Sequence, residues 1–224
     1  MKIFSYIRYF AFLAWNWNLR IAFFLINYEI KGEKKYGIQT TGADELKSLQ
    51  TKGIDITHAT IYMPANYFML EKVMEEISKH PHNKTFLDLG CGKGRAMAAA
   101  AHYGFKKITG VDFSKQFCNE ANANMELVQK KITGVDFKIL LQDAFYYEIP
   151  ADVTTIFFFN PFDEVIMSGV VENILRSLEK NPRTIRVIYI NPMQKELFIE
   201  AGFTEIFHYQ KLKWLQACIL EKRT

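Results

Sequence analysis

The segment Thr85-Phe-Leu-Asp88-Leu-Gly90-Cys91-Gly92-Lys-Gly94-Arg95-Ala-Met97 sets three glycines two positions apart, between a short apolar run and a helical stretch. Glycine accepts positive φ and lets the backbone approach a ligand with no Cβ in the way, so a strand, loop and helix of this kind form a small-molecule cofactor site. The spacing separates the possible cofactors. A dinucleotide fingerprint needs G-x-G-x-x-G, and Arg95 stands where its third glycine belongs. A phosphate loop needs G-x-x-x-x-G-K-[ST], and no lysine-hydroxyl pair follows here. Asp112, in Gly110-Val-Asp112-Phe113, comes 18 positions after Gly94 and ends the next apolar run. A carboxylate there can accept two O–H hydrogen bonds, charge-assisted and stronger than neutral ones. His80 and His82 have no cysteine or carboxylate at ligand spacing, so they read as solvated loop residues and no metal is expected.

The elements that must position these residues follow from periodicity. Apolar runs occur at 85–89, 107–111, 137–141, 154–159, 185–190, 205–209 and 214–220. The first five are separated by helix-length stretches such as 95–102, 115–130 and 164–179, the pattern of β-α-β units with a sheet covered on both faces. The last two are close enough for a hairpin. The expected fold is therefore α/β: a doubly wound, mostly parallel seven-stranded sheet with a terminal antiparallel hairpin. A helix is expected from Pro64 to about Lys79, and a short one over 44–50 within a linker at 32–60. The octapeptide Lys-Lys-Ile-Thr-Gly-Val-Asp-Phe occurs twice, at 106–113 and 130–137. Its acid ends a strand in the first copy and begins one in the second, so only Asp112 suits a site at strand carboxyl ends.

The Asp88-x-Gly90-x-Gly92-x-Gly94 pattern resembles the first motif of class I, seven-stranded S-adenosylmethionine (SAM) dependent methyltransferases, over roughly residues 62–220. The resemblance implies that the glycine loop, Cys91 included, lies against the methionine and ribose of SAM, and that Asp112 binds the ribose hydroxyls while Phe113 packs on the adenine. Asp143, with Ala144 after it, implies a contact to the adenine amino group. Asp88 orients the loop or reaches SAM through water. Asn160-Pro161-Phe162 resembles the [DN]-P-P-[FY] motif of amino-group methyltransferases with one proline missing; it reads as a substrate-orienting pair or as a strand-end turn, like Asn191-Pro192. Tyr62-Met-Pro64 resembles the tyrosine-proline segment of some bacterial and non-SET lysine methyltransferases, which covers the methionine end of SAM; Tyr62 is equally readable as a buried aromatic.

The N-terminus stands apart. Residues 3–26 are apolar and aromatic, but Arg8, Asn16, Asn18 and Arg20 interrupt them, so neither a spanning helix nor a cleaved signal fits. Ile3, Ile7, Phe10, Ala14, Trp17, Ile21 and Phe24 recur at steps of four and three, which predicts one amphipathic helix over 1–31. With the basic cluster at 31–35, such a helix can lie on an anionic membrane surface or pack on its own domain or a partner. Residues 1–36 hold six basic and two acidic residues in a chain of net charge +4, so the body is balanced and duplex nucleic acid is not expected as a partner. Three cysteines without a C-x-x-C pair favour a reducing compartment, the cytoplasm or the inner face of a membrane.

The expected partners are thus SAM and an unidentified methyl acceptor, a protein lysine or another amine, met by positioning rather than by an obvious catalytic base. Two readings stand beside a lysine methyltransferase: a small-molecule or lipid methyltransferase at a membrane surface, and a SAM-binding scaffold without turnover.

Overall fold

The computed structural model describes residues 2–41, 63–80, 84–159 and 162–224. Seven strands form one sheet in the order β3-β2-β1-β4-β5-β7-β6. They are β1 (Thr85–Leu89), β2 (Lys107–Asp112), β3 (Asp136–Leu141), β4 (Thr155–Phe159), β5 (Ile185–Ile190), β6 (Thr204–Lys211) and β7 (Leu215–Lys222). The first five are parallel, and β7 runs antiparallel between β5 and β6. The expected α/β architecture is what the chain adopts. β1 and β5 are buried along their whole length because helices cover both sheet faces, which is why their sequences are mainly apolar rather than alternating.

The helices are α1 (Lys2–Asn16), α2 (Leu19–Tyr36), α3 (Tyr67–Ile77), α4 (Arg95–His102), α5 (Lys115–Gln129), α6 (Glu164–Lys180) and α7 (Lys195–Glu200). Helix α4 carries a run of four buried alanines whose small side chains let it lie close to the sheet. Opposite it, Gly110 of β2 is obligatory: a Cβ there would sit 2.5 Å from Met97 Sδ and 2.9 Å from Cys91 Sγ. Two apolar clusters fill the two faces of the sheet, and a third, around Tyr9, Leu13, Ile21, Ala22 and Leu25, joins α1 to α2.

The single N-terminal helix expected over 1–31 is a hairpin of two. Asn18 turns the chain and its side chain accepts the Ile21 N–H at 2.9 Å, opening α2, which runs on to Gly37 at φ 70°. Breaking the helix rotates the stripe: Ile7 and Trp17 are exposed, while Tyr9 and Leu13 turn inward. Of the linker expected over 32–60, residues 32–36 belong to α2 and 37–41 pack against the domain, while the short helix expected over 44–50 lies outside the described residues. The helix expected from Pro64 begins instead at Tyr67, where Asn66 caps the N–H groups of Phe68 and Met69. Pro64 does not start it because a capping side chain three residues before Met69 satisfies the first orphan donors better.

The duplicated octapeptide takes two conformations. Residues 107–112 form β2, whereas 131–135 make a turn with Gly134 at φ 71°, and Asp136 opens β3 beside Lys107. Long-range pairing beside β1 overrides local propensity.

Candidate cofactor site at the carboxyl edge of the sheet

β1 has β2 on one side and β4 on the other, so the chain reverses its winding there and opens a crevice at the carboxyl ends of the strands. The glycine loop leaves β1 into that crevice. Gly90 and Gly94 have φ of 79° and 80°, in the left-handed region that only glycine enters without strain, and Gly94 delivers the chain to the first residue of α4. The N–H groups of Gly90 and Cys91 both bond to the Val111 carbonyl, at 2.9 and 3.0 Å, which docks the loop on the end of β2.

Asp112 clamps the two ends of the crevice together. Its Oδ2 accepts the Gly92 N–H at 2.8 Å and its Oδ1 accepts the Ser114 N–H at 2.8 Å. Each oxygen keeps a lone pair for a further donor. Burial raises the carboxyl to about 6, against the opposing pull of those two N–H bonds. Asp88, fully buried one strand away, is pushed well above the ordinary carboxylate range by burial and then by the Asp112 charge, which favours the neutral acid. The pair can therefore sit close without carrying two charges. Cys91 is buried and its thiol is raised by burial, so its neutral thiol is a packing group against Gly110 rather than a nucleophile.

The remaining expected contacts fall on the same edge. Phe113, half buried, follows β2. The Gln142 N–H bonds to the Asp112 carbonyl at 3.0 Å, bringing the end of β3 alongside, and exposed Asp143 caps the next turn through the Phe145 N–H at 2.9 Å with Ala144 buried behind it. Asn160, Pro161 and Tyr62 lie outside the described residues. Phe162, just after the first two, is buried in the core cluster, and Asn191 turns at φ 52° with its N–H on the Gln216 carbonyl. Among the described residues no group of three or more His, Cys, Asp and Glu is gathered to hold a metal.

Sequence reasoning missed the support behind the loop. Arg95, the residue that spoils the dinucleotide fingerprint, is 4% exposed and its guanidinium stacks 4.0 Å from the Tyr67 ring centroid. It donates to Thr40 Oγ1 at 2.7 Å, to the Ala65 carbonyl at 2.9 Å, and with two nitrogens to the Glu29 carboxylate, which is 1% exposed. Glu33, one turn on, accepts the N–H groups of Thr40 and Thr41, the Thr41 hydroxyl and, at 2.6 Å, the Tyr6 hydroxyl. Burial opposes its ionisation, yet these bonds outweigh it and hold the carboxyl below its usual value. Asn124 ties in the last strand of the network, accepting the Gln39 N–H and donating to the Lys93 carbonyl at 2.9 Å. The N-terminal hairpin is thus bolted to the end of the glycine loop where α4 begins.

A glycine-rich loop at the switch point of a doubly wound sheet, beside an acid ending the second strand, stands where open α/β sheets bind their ligands. Residues 86–181 match the family described as a methyltransferase domain, and the sheet has the class I methyltransferase fold. No curated protein matches the chain. Among solved structures, it is similar to the ribosomal protein L11 methylase of Lactobacillus delbrueckii subsp. bulgaricus (17% identity, 69% of this chain and 77% of that one, TM-score 0.50). It is also similar to magnesium protoporphyrin IX methyltransferase of Synechocystis with bound SAM (15%, 69% and 77%, TM-score 0.50). A third is the tRNA (uracil-54, C5)-methyltransferase of Pyrococcus abyssi in complex with S-adenosyl-L-homocysteine (15%, 71% and 39%, TM-score 0.51). At these identities the likeness is one of fold, and the substrates of the three differ in kind.

Proposed function

We propose that the chain transfers a methyl group from SAM to an amine, of a protein lysine or a smaller molecule, and that it works peripherally at the inner face of a membrane. The observation that carries the cofactor assignment is the Asp112 carboxylate, held by Gly92 and Ser114 so that one lone pair on each oxygen remains for vicinal ribose hydroxyls. When bound, SAM supplies an activated methyl on a sulfonium, and attack is an in-line displacement. Asp112 binds the ribose, Asp143 the adenine amino group and Phe113 the adenine face; the loop from Gly90 to Gly94 leaves room for the methionine portion, with Asp88 behind it. Asn160, Pro161 and Tyr62 are assigned to orienting the acceptor on their sequence pattern alone. Holding the acceptor in line with the sulfonium methyl supplies much of the rate.

The test is thermal unfolding with and without SAM. A ligand at about 100 times its dissociation constant adds about 2.7 kcal/mol, which for a chain of this size raises the melting temperature by about 5–11 °C. Asp112→Asn is expected to lose most of that rise and Asp136→Asn to keep it. A rise abolished by Asp136→Asn, or absent from the parent protein, refutes the assignment. Single-turnover transfer of labelled methyl into amine acceptors separates turnover from a SAM-binding scaffold.

A further inference from the structure

All three tryptophans of the chain, Trp15, Trp17 and Trp214, are exposed, at 91%, 36% and 63%. Two belong to the α1-α2 hairpin and the third to the β6-β7 turn, 197 positions after Trp17 in sequence but adjacent in space: Leu212 and Leu215, on either side of Trp214, pack on the Tyr9, Leu13 and Ile21 cluster of the hairpin. Phe4, Leu19 and Phe23 extend the exposed apolar surface on the helices. The charges beside it have one sign. Residues 2–28 and 210–216 contain no acid, and the hairpin's first acids, Glu29 and Glu33, are buried in the Arg95 network. Arg8, Arg20, Lys211 and Lys213 are exposed and form no ion pair with any described residue.

Exposed tryptophans interleaved with unopposed cations match one kind of surface. Indole rings settle at the membrane-water boundary, and lysine and arginine near an anionic leaflet are attracted by its surface potential. No helix among the described residues is long and apolar enough to cross a membrane, so the contact is lateral. We propose that the hairpin and the β6-β7 turn together form one docking face for an anionic lipid bilayer. The sequence pattern had pointed to the helical part alone; the turn is the second contact, and it fixes orientation. β7 runs antiparallel to β5, with Ala217 beside Ile190, so the turn stands at the carboxyl edge of the sheet, on the side where Asp112 and the glycine loop lie. Three strand spacings, about 14 Å, separate β7 from β1 across that edge. Docking through both elements holds the cofactor crevice toward the bilayer, and the acceptor is then a group presented at the headgroup level. This last step rests on the methyl-transfer reading; the docking face does not.

The experiment is co-sedimentation of the full-length protein with vesicles of phosphatidylcholine alone or containing phosphatidylglycerol, with intrinsic tryptophan fluorescence as a second readout. Binding and a blue shift are expected with the anionic vesicles only, weakening as salt rises. Lys211→Gln/Lys213→Gln removes two attractive charges and is expected to weaken binding roughly 30-fold, at about 1 kcal/mol per charge and 1.4 kcal/mol per tenfold. Trp214→Ser is expected to reduce it as well. Both variants should keep the parent melting temperature and SAM-induced stabilisation, which separates a docking failure from a failure of the cofactor assignment. Equal binding to neutral vesicles, variants that bind like the parent, or a dimer that forms through this face and excludes lipid would each overturn the proposal.

Discussion

Replacing Glu29 by leucine tests how the hairpin is held. The change removes the partner of two guanidinium nitrogens and leaves Arg95 charged in a pocket where it is 4% exposed. Breaking a buried ion pair by deleting one member costs about 3–5 kcal/mol, because the survivor stays desolvated and uncompensated. Here the Thr40 hydroxyl, the Ala65 carbonyl and the Tyr67 ring still face Arg95, which points to the lower end. A loss of about 3 kcal/mol in a chain of this length lowers the melting temperature by about 6–12 °C. Arg95→Met should cost a comparable amount, by stranding Glu29 beside Glu33. The double variant Glu29→Leu/Arg95→Met puts apolar groups of similar volume in place of both charges and should recover most of the loss. The assay is calorimetric or spectroscopic unfolding of the four proteins as a double-mutant cycle. Single variants melting within about 2 °C of the parent, or a coupling energy under about 0.5 kcal/mol, would refute the view that this pair fastens the hairpin to the glycine loop.

Two further outcomes follow from particular contacts. Gly32→Ala would ordinarily stabilise a helix by about 1 kcal/mol, but a Cβ at this position would lie 2.2 Å from the Tyr67 ring, which is buried and stacked on Tyr36 and Arg95. Destabilisation by about 1–3 kcal/mol is expected, read by urea unfolding, and a stabilised variant would contradict the packing described. The second concerns pH. Burial raises Asp112 from 3.8 to about 6, so the folded protein without cofactor holds this proton more tightly than the unfolded chain. The group's contribution to folding is full below its unfolded value and is lost as pH rises through about 6. SAM affinity moves oppositely, since ribose hydroxyls need the carboxylate: calorimetric titration should show it falling roughly tenfold from pH 7 to pH 5, with Asp112→Asn flattening the profile.

The sheet was legible because its central strands are buried on both faces and read as mainly apolar runs set apart by helix-length intervals, and the glycine loop because its spacing excludes the common alternatives. The hairpin was misread for a physical reason. Asn18 looks like one polar residue interrupting a stripe, and only its capping bond to Ile21 shows that it starts a new helix. The buried network left a fainter trace: Ala22, Leu25, Glu29, Gly32, Glu33 and Tyr36 share one face of α2, so two acids four apart lie in line with apolar neighbours. Acids on a core-facing stripe call for a buried cation, and Arg95 is the one that answers them. What no pattern could supply was the distance between them, 66 positions bridged by tertiary packing.

The two identical octapeptides carry a consequence for how this chain assembles. One segment becomes an interior strand and the other a turn, so the losing copy is a built-in competitor for the slot beside β1. A nascent chain that seats the later copy there would lengthen the connection from β1 by 24 residues and bring Asp136 to the crevice in place of Asp112. Refolding yield should therefore improve when exposed positions of the second copy, such as Lys131 and Thr133, are made unlike the first, with the core packing of Ile132, Val135 and Phe137 kept, because the fault being removed lies in traffic along the pathway and not in the destination.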